Sequence, residues 1–268
     1  FAGSFYRKYP ERQANFHALV EVARKLKSVV IYDRNADRPQ PHDFVFPDEY
    51  RAEIRGALPY TEIDRAYKGY RYGITVNTIK QSQTMFARRA FELMACNTVV
   101  VSNFSKGLRL CFGDLVVSSD SADELEHRLA PICADEAVYR RHRLRGLRSV
   151  LTQHTYEHRL AYVASKVSGR PVSAAMPRVC MWGEPATAED TRRLVAAHAR
   201  QTFRGVPLVL VCDSSLTPSS ADGVVVVPDR TALLERLAAY DQVAPICAAD
   251  YHGPDYLADL MLATRCAD

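Results

Sequence analysis

The stretch from Gln83 to Gly107 constrains this chain more than any other. Gln83-Thr-Met-Phe-Ala-Arg-Arg-Ala-Phe-Glu-Leu-Met-Ala-Cys96 spaces its apolar residues as one face of a helix. A short loop follows, then Thr98-Val-Val-Val-Ser102, an apolar β-branched run of strand length, and then a turn. Helix, loop and buried strand in direct succession form the unit from which parallel α/β sheets are built.

The same alternation runs along the chain. Residues 11–27 put Phe16, Leu19, Val20, Ala23 and Leu26 on one helical face. Ser28 to Tyr32 reads as a short buried strand, and 33–59, rich in proline, glycine and charge, as a long irregular connection. Tyr60 to Tyr70 reads as helical and Tyr72 to Asn77 as a strand. A turn or short helix at Lys106–Phe112 precedes a strand at Asp114–Ser118. Ser121 with Glu124 three residues on predicts a capping box at the next helix. Helices are expected over 135–151 and 155–167. The pattern breaks at Ser168-Gly-Arg-Pro171, which divides the chain into domains 1–168 and 172–268. Beyond the break, strands are expected at 178–182, 206–212, 223–227 and 242–247, with helices at 187–201, 231–240 and after Pro254. The fold class is α/β: a Rossmann-like parallel-sheet domain plus a second, smaller α/β domain.

Composition removes several function classes. No run of about 18 apolar residues exists, so no membrane span is expected, and the first residues do not resemble a signal peptide. Lys+Arg 35 against Asp+Glu 31 gives a net charge of +4. Much of the excess lies in Arg140-Arg-His-Arg-Leu-Arg-Gly-Leu-Arg148, which suits either a phosphate patch or a solvated helix face. Aromatic residues are not interleaved with these arginines, so no nucleic-acid partner is expected. The seven cysteines make no Cys-x-x-Cys pair and mostly lie in apolar runs, as reduced core cysteines of a cytoplasmic protein would. His154 and His158 have zinc-helix spacing but lack a third ligand, and His154 reads as a helix-start or packing residue. Neither a Gly-x-Ser-x-Gly turn nor a phosphate-binding P-loop is present. The tyrosines between 60 and 72 suit stacking on a base or sugar, or covering a domain edge.

Glu92 is the residue with the sharpest chemistry. A carboxylate among apolar neighbours on a helix needs a partner, and the vicinal hydroxyls of a sugar supply one. An ion pair with Arg88 or Arg89, four or three residues earlier, supplies another.

Residues 1–167 resemble the C-terminal half of a GT-B glycosyltransferase, closest to the bacterial CgeB-like branch of the retaining group 1 transferases. The likeness rests on Phe1-Ala-Gly-Ser4, Ile31-Tyr-Asp-Arg34, Leu58-Pro-Tyr-Thr-Glu-Ile-Asp64, the Glu92 helix and strand, Phe104-Ser-Lys-Gly-Leu108 and His154-Thr-Tyr156. The resemblance implies a Rossmann-like domain that binds a UDP- or GDP-linked sugar donor and needs no metal or other cofactor in this half. It implies donor contacts from Gly3, Ser4, Arg34, Lys80, Ser82, Gln83, Thr84, Arg88, Glu92, Lys106 and Gly107, with Glu92 on the ribose and Lys80, Arg88 and Lys106 facing phosphate. Thr84 stands where such enzymes often carry a second glutamate, eight residues before the first; Ser82 or Gln83 would then serve the donor sugar. The family's N-terminal half, which supplies acceptor contacts and often a catalytic histidine, is expected upstream of Phe1, so no catalytic residue is assigned.

Residues 172–268 resemble the beginning of a GT-A, family-two-like transferase through Arg178-Val-Cys-Met-Trp182, Gln201-Thr-Phe203, Leu208-Val-Leu-Val-Cys-Asp213 and Tyr251-His-Gly-Pro-Asp-Tyr-Leu-Ala-Asp-Leu260. That fold holds a divalent cation with an Asp-x-Asp motif, and only Asp250 remains of it in Ile246-Cys-Ala-Ala-Asp-Tyr251. The second domain is therefore expected to be degenerate and structural or partner-binding. Two functions are open: sugar transfer to an unknown sugar, protein or lipid-linked acceptor, and non-catalytic nucleotide-sugar binding or scaffolding.

Overall fold

The structure, a computed structural model, describes residues 1–39, 43–173, 177–218 and 222–265. The chain divides into two compact units, Phe1–Thr155 and Tyr156–Asp268. The helix at Tyr156–Ser168, which precedes the sequence break at 168–172, groups with the second unit.

The first unit runs β1 (Ala2–Gly3), α1 (Pro10–Leu26), β2 (Tyr32–Asp33), α2 (Asp64–Lys68), β3 (Tyr72–Thr75), α3 (Arg89–Ala95), β4 (Val99–Ser102), α4 (Lys106–Phe112), β5 (Val116–Ser118), α5 (Ala122–Ala134) and α6 (Glu136–Gln153). All described strand pairs are parallel, as strand–helix alternation requires. They fall into two short sheets, β1-β2 and β3-β4-β5. Beside β2, the Ile31 N–H donates to the Glu53 carbonyl and the Asp33 N–H to the Gly56 carbonyl, so 53–56 adds a further parallel edge.

The β4 run explains why its residues are uniformly apolar. Val99 and Val101 face a core with Ile74, Val117, Leu19 and Val20 of α1 and Leu129 of α5. Val100 faces the other way, into a core with Val116, Leu93 and Met94 of α3, Leu108 of α4 and Val150 of α6. Side chains alternate along a strand, and a sheet covered on both faces needs apolar residues at every position. The passage from α3 into β4 is tight: Asn97 adopts a positive φ of 58°, a conformation that asparagine tolerates better than most residues.

Three local expectations are corrected. The segment before Arg89 is irregular, so the Glu92 helix is a single short α3 rather than one that begins near Gln83. Phe86 and Gln83 pack instead against Gly107 at the start of α4, where a Cβ would come within 2.5 Å of the Phe86 ring. Ser121 caps α5 by accepting from the Glu124 N–H, but the Glu124 carboxylate takes the Ser119 hydroxyl at 2.6 Å, so the reciprocal half of the capping box is absent. Among the described cysteines only Cys180 and Cys212 are buried; Cys96, Cys111 and Cys133 are half-buried and Cys247 is exposed. Cys266 lies outside the described residues.

The second unit contains α7 (Tyr156–Ser168), β6 (Val179–Gly183), α8 (Ala188–Ala199), β7 (Leu208–Val211), β8 (Val224–Val227), α9 (Arg230–Leu237), β9 (Gln242–Pro245) and α10 (Tyr256–Ala263). Its sheet is parallel in the order β8-β7-β6-β9. Met181, Leu208, Leu210 and Ala244 pack on one face with Leu194 of α8 and Leu257 of α10, while Cys180, Val209 and Val227 face Leu233 of α9. No helix among the described residues is long and apolar enough to cross a membrane.

Candidate functional site

In parallel α/β sheets the carboxyl ends of the strands and the helix N-termini that follow them share one side, and ligands collect there. In the first unit that side gathers Gly3-Ser4 after β1, Arg34 after β2, residues 76–88 after β3, and Asn103–Lys106 after β4. Helix α1 enters it with Pro10 in its first turn and no side-chain cap, so its first N–H groups carry the helix's partial positive charge unshared by a side chain.

Two arginines converge at this end. Arg12, in the first turn of α1, donates through Nη1 to the Val76 carbonyl at 2.7 Å and the Thr78 hydroxyl at 3.2 Å, and stacks 4.8 Å from the centre of the Tyr6 ring. Arg89, the first residue of α3, donates through Nε to the Tyr67 hydroxyl at 3.4 Å and lies 5.8 Å from the Phe1 ring centre. Gly3 runs beside it: a Cβ there would lie 3.4 Å from the Arg89 Nη1. Burial is the main influence that holds the Arg12 guanidinium below its ordinary range; the nearby Tyr6 opposes it and the positive charge of Arg89 adds to it. Among the described residues neither arginine has a carboxylate partner. Two partly buried cations that face one another unneutralised are costly, and an anion between them removes the cost.

Asn77 and Asn103 fix the end of the sheet that carries Arg89. The Asn77 N–H donates to the Asn103 Oδ1 at 2.8 Å, and the Asn103 amide returns a bond to the Asn77 carbonyl at 2.9 Å. The Asn77 Nδ2 donates to the Ser102 hydroxyl at 3.0 Å, which ties β3 to β4. The Asn77 Oδ1 accepts from the Ala87 N–H at 2.7 Å. That last bond anchors the backbone two residues before Arg89.

Glu92 is not on the core side of its helix. Its side chain is 33% exposed, accepts from Arg88 Nε at 2.8 Å and accepts from the Tyr67 hydroxyl at 3.1 Å. Of the two ion-pair partners open in the sequence, the structure uses Arg88. That arginine's own side chain is 71% exposed.

The other expected donor residues lie at the same strand ends, several of them held by contacts within the chain. Lys80 is committed elsewhere: burial works against its charge, but ion pairs to Glu11 at 2.6 Å and Asp120 at 2.9 Å outweigh it and raise its pKa, and Asn15 Oδ1 accepts a further bond at 3.3 Å. Ser82 closes a local turn by accepting from the Thr84 and Met85 N–H groups, and Gln83 and Thr84 are exposed beside it. Ser4 is buried and accepts from the Asn35 amide at 2.9 Å. Arg34 is exposed. The Lys106 N–H donates to the Lys80 carbonyl at 2.7 Å, and Gly107 serves the packing of Phe86. His154 packs its ring between Phe91 and Phe112, at 5.3 and 5.1 Å. In the second unit Asp250 is exposed after β9.

Residues 12–165 match the family described as glycosyl transferase-like. The chain belongs to that family. The matched span runs from Arg12 at the start of the site through the whole parallel sheet β3-β4-β5. No curated protein matches the chain. Membership in a glycosyltransferase family implies a sugar donor and an acceptor.

Sequence reasoning missed Arg12, Asn77 and Asn103, and treated Arg89 only as a partner of Glu92. A signal existed for Arg12, since Pro10 marks the first turn of a helix and so places the next two residues at its N-terminus. For the asparagines none existed, because their partners lie 26 residues apart in sequence.

Proposed function

We propose that the first unit holds a nucleoside diphosphate sugar at the carboxyl end of its strands and that the protein transfers the sugar to an acceptor hydroxyl. The observation that carries this is the Arg12–Arg89 pair, Arg12 in the first turn of α1 and Arg89 beside Gly3, two cations that have no carboxylate partner among the described residues. A diphosphate supplies the missing negative charge. During transfer the bond from the sugar's anomeric carbon to the diphosphate oxygen breaks, a bond to the acceptor oxygen forms, and the acceptor proton leaves to a base. Negative charge grows on the departing diphosphate, and fixed cations aimed there lower the barrier. Glu92 lies three residues from Arg89 on the same helix and takes the ribose hydroxyls, releasing the exposed Arg88 to solvent or to phosphate. Retention of configuration follows the likeness to the group 1 transferases and to the CgeB-like branch of GT-B enzymes. The second unit, with the lone Asp250 at the end of its GT-A-like segment, serves as a structural or partner-binding domain.

Calorimetry with UDP, GDP and their sugars tests the site. A nucleoside diphosphate should bind, and Arg89→Ala should weaken it by about tenfold to a hundredfold, the loss of one charge-assisted contact. Equal affinity in wild type and Arg89→Ala would remove the arginine pair from the site. Slow release of free sugar from the donor, with the anomer read by NMR, supports transfer; binding without any turnover favours the non-catalytic reading.

A further inference from the structure

A cleft of about 480 Å³ opens one strand beyond the proposed donor site, at the carboxyl end of β5. Its volume lies within the span of about 300–1,000 Å³ common to small-ligand sites. Phe104 lines it from the turn after β4, Arg109 from α4 and Asp114 from the turn ahead of β5. Ser118 to Ser121, at the end of β5 and in the turn into α5, line it with Arg128 of α5.

The charges of this lining differ from those of the arginine pair. Two guanidinium groups, Arg109 and Arg128, stand with three carboxylates, Asp114, Asp120 and Glu124. A lining that is negative on balance disfavours phosphate. Phe104 is the one apolar side chain in the lining, so a lipid tail finds no continuous apolar wall. What remains suits a neutral molecule rich in hydroxyl groups.

The polar groups hold one another in place. Arg128 donates to the Ser118 carbonyl at 2.7 Å and to Asp114 Oδ1 at 2.9 Å, and Arg109 Nη1 donates to the same Asp114 oxygen. Asp120 accepts from the Phe104 N–H at 3.0 Å and from Lys80 at 2.9 Å. Capacity is left over. Among the described residues Arg109 bonds only through Nη1, and Asp114 accepts only through Oδ1. A spare guanidinium edge beside a spare carboxylate oxygen offers a donor and an acceptor together, which two adjacent sugar hydroxyls match. The Phe104 ring gives the C–H face of a sugar an apolar surface.

We propose that this cleft seats the acceptor, and that the acceptor is a sugar held through adjacent hydroxyl groups; this rests on the donor reading given under the proposed function. The two sites adjoin. Lys80 ties Asp120 of the cleft to Glu11, the residue before Arg12, and Phe104 belongs to the turn that leaves β4 on the donor side. A neutral acceptor leaves the arginine pair to the diphosphate. In transfer its hydroxyl gives up a proton to a base, its oxygen bonds the anomeric carbon, and the nucleoside diphosphate departs.

The test is amide NMR on the full chain, with the methyl glycosides of glucose, galactose, mannose and N-acetylglucosamine as probes. At least one should shift the Phe104, Ser119 and Ser121 amides saturably, and should still do so with UDP or GDP at saturation. Asp114→Asn and Arg109→Gln alter exposed side chains, so each should leave the thermal midpoint nearly unchanged. Each should weaken glycoside binding by about tenfold, the loss of one charge-assisted contact. No saturable shift at these amides with any of the four glycosides would overturn the proposal, as would undiminished affinity in both variants. Shifts caused by inorganic phosphate instead of the glycosides would make the cleft an anion site and also sink it. Displacement of the glycoside by a UDP- or GDP-sugar, but not by the bare nucleotide, would give the cleft to the donor's own sugar and remove the acceptor role. Nucleotide-dependent shifts at Ala87–Arg89 are read in the same spectra. Their presence without a glycoside response removes the acceptor seat alone; their absence removes the donor reading and the acceptor role with it.

Discussion

At the scale of single residues, Glu92 and Arg88 are a pair whose breaking costs little. They are four residues apart on a short helix and substantially exposed, and such pairs contribute about 0.3–0.5 kcal/mol. A carboxylate held this loosely can exchange partners, whereas Lys80, itself largely buried, would have to leave Glu11, Asp120 and Asn15 together. That contrast ranks the candidate ligands. Glu92→Gln keeps the side chain's shape and removes its charge, so it should leave the thermal midpoint nearly unchanged. It should weaken nucleoside diphosphate binding by about tenfold or more, because bonds to a charged acceptor contribute about 1.5–3 kcal/mol. Affinity for the nucleotide, measured by calorimetry against a deoxyribose analogue, checks the role: the substitution should matter far less when the ribose hydroxyl is missing. An equal effect on both nucleotides would detach Glu92 from the ribose.

Elements lie between local pattern and long-range contact, and this is where the sequence was informative and then ceased to be. The strands were legible because a doubly covered sheet needs continuous apolar runs such as Val99–Val101, and α1 was legible because Phe16, Leu19 and Val20 repeat on one face. The span from Val76 to Arg88 was not. Its course follows from the Asn77 Oδ1 holding the Ala87 N–H and from Phe86 lying on Gly107, contacts across 10 and about 20 residues that no periodicity encodes. The helical spacing around Met85 and Phe86 is real, but Asn77 and Gly107 draw those residues off the helix axis. Gly107 thereby becomes a test of the element. A Cβ would meet the Phe86 ring at 2.5 Å and the Gln83 carbonyl at 2.8 Å, and backbone has little room to yield. Gly107→Ala should destabilise the first unit by about 1–3 kcal/mol, the usual cost of overpacking. It should also raise proteolytic sensitivity between Thr78 and Arg88, as mapped by limited digestion. Digestion at the wild-type rate, with an unchanged midpoint, would mean that this packing does not hold the segment.

For the molecule as a whole, the two sheets of the first unit meet across a cavity with a buried amino group at its edge, and this links stability to pH. The Phe1 amine is held at about 5, from an ordinary 8.0, by burial first and the Arg89 charge second. A base with a lowered folded-state pKa binds fewer protons folded than unfolded between those two values. Unfolding therefore takes up a proton across that window, and stability rises as pH increases from about 5 to 8. The full displacement corresponds to on the order of 4 kcal/mol. His142 acts in the same direction: burial lowers its pKa most, against the raising effect of its bond to the Leu115 carbonyl, so its protonation also disfavours the fold. The two contributions separate by chemistry, because acetylating the amine removes one and leaves the other. Chemical denaturation at a series of pH values should give a midpoint that climbs steadily from pH 5 to 8 in the free-amine chain. The acetylated chain should climb less and only through the histidine range. Identical pH profiles for the two forms would show that the amine leaves its buried position at little cost, and that the edge of β1 opens to water long before the rest of the sheet unfolds.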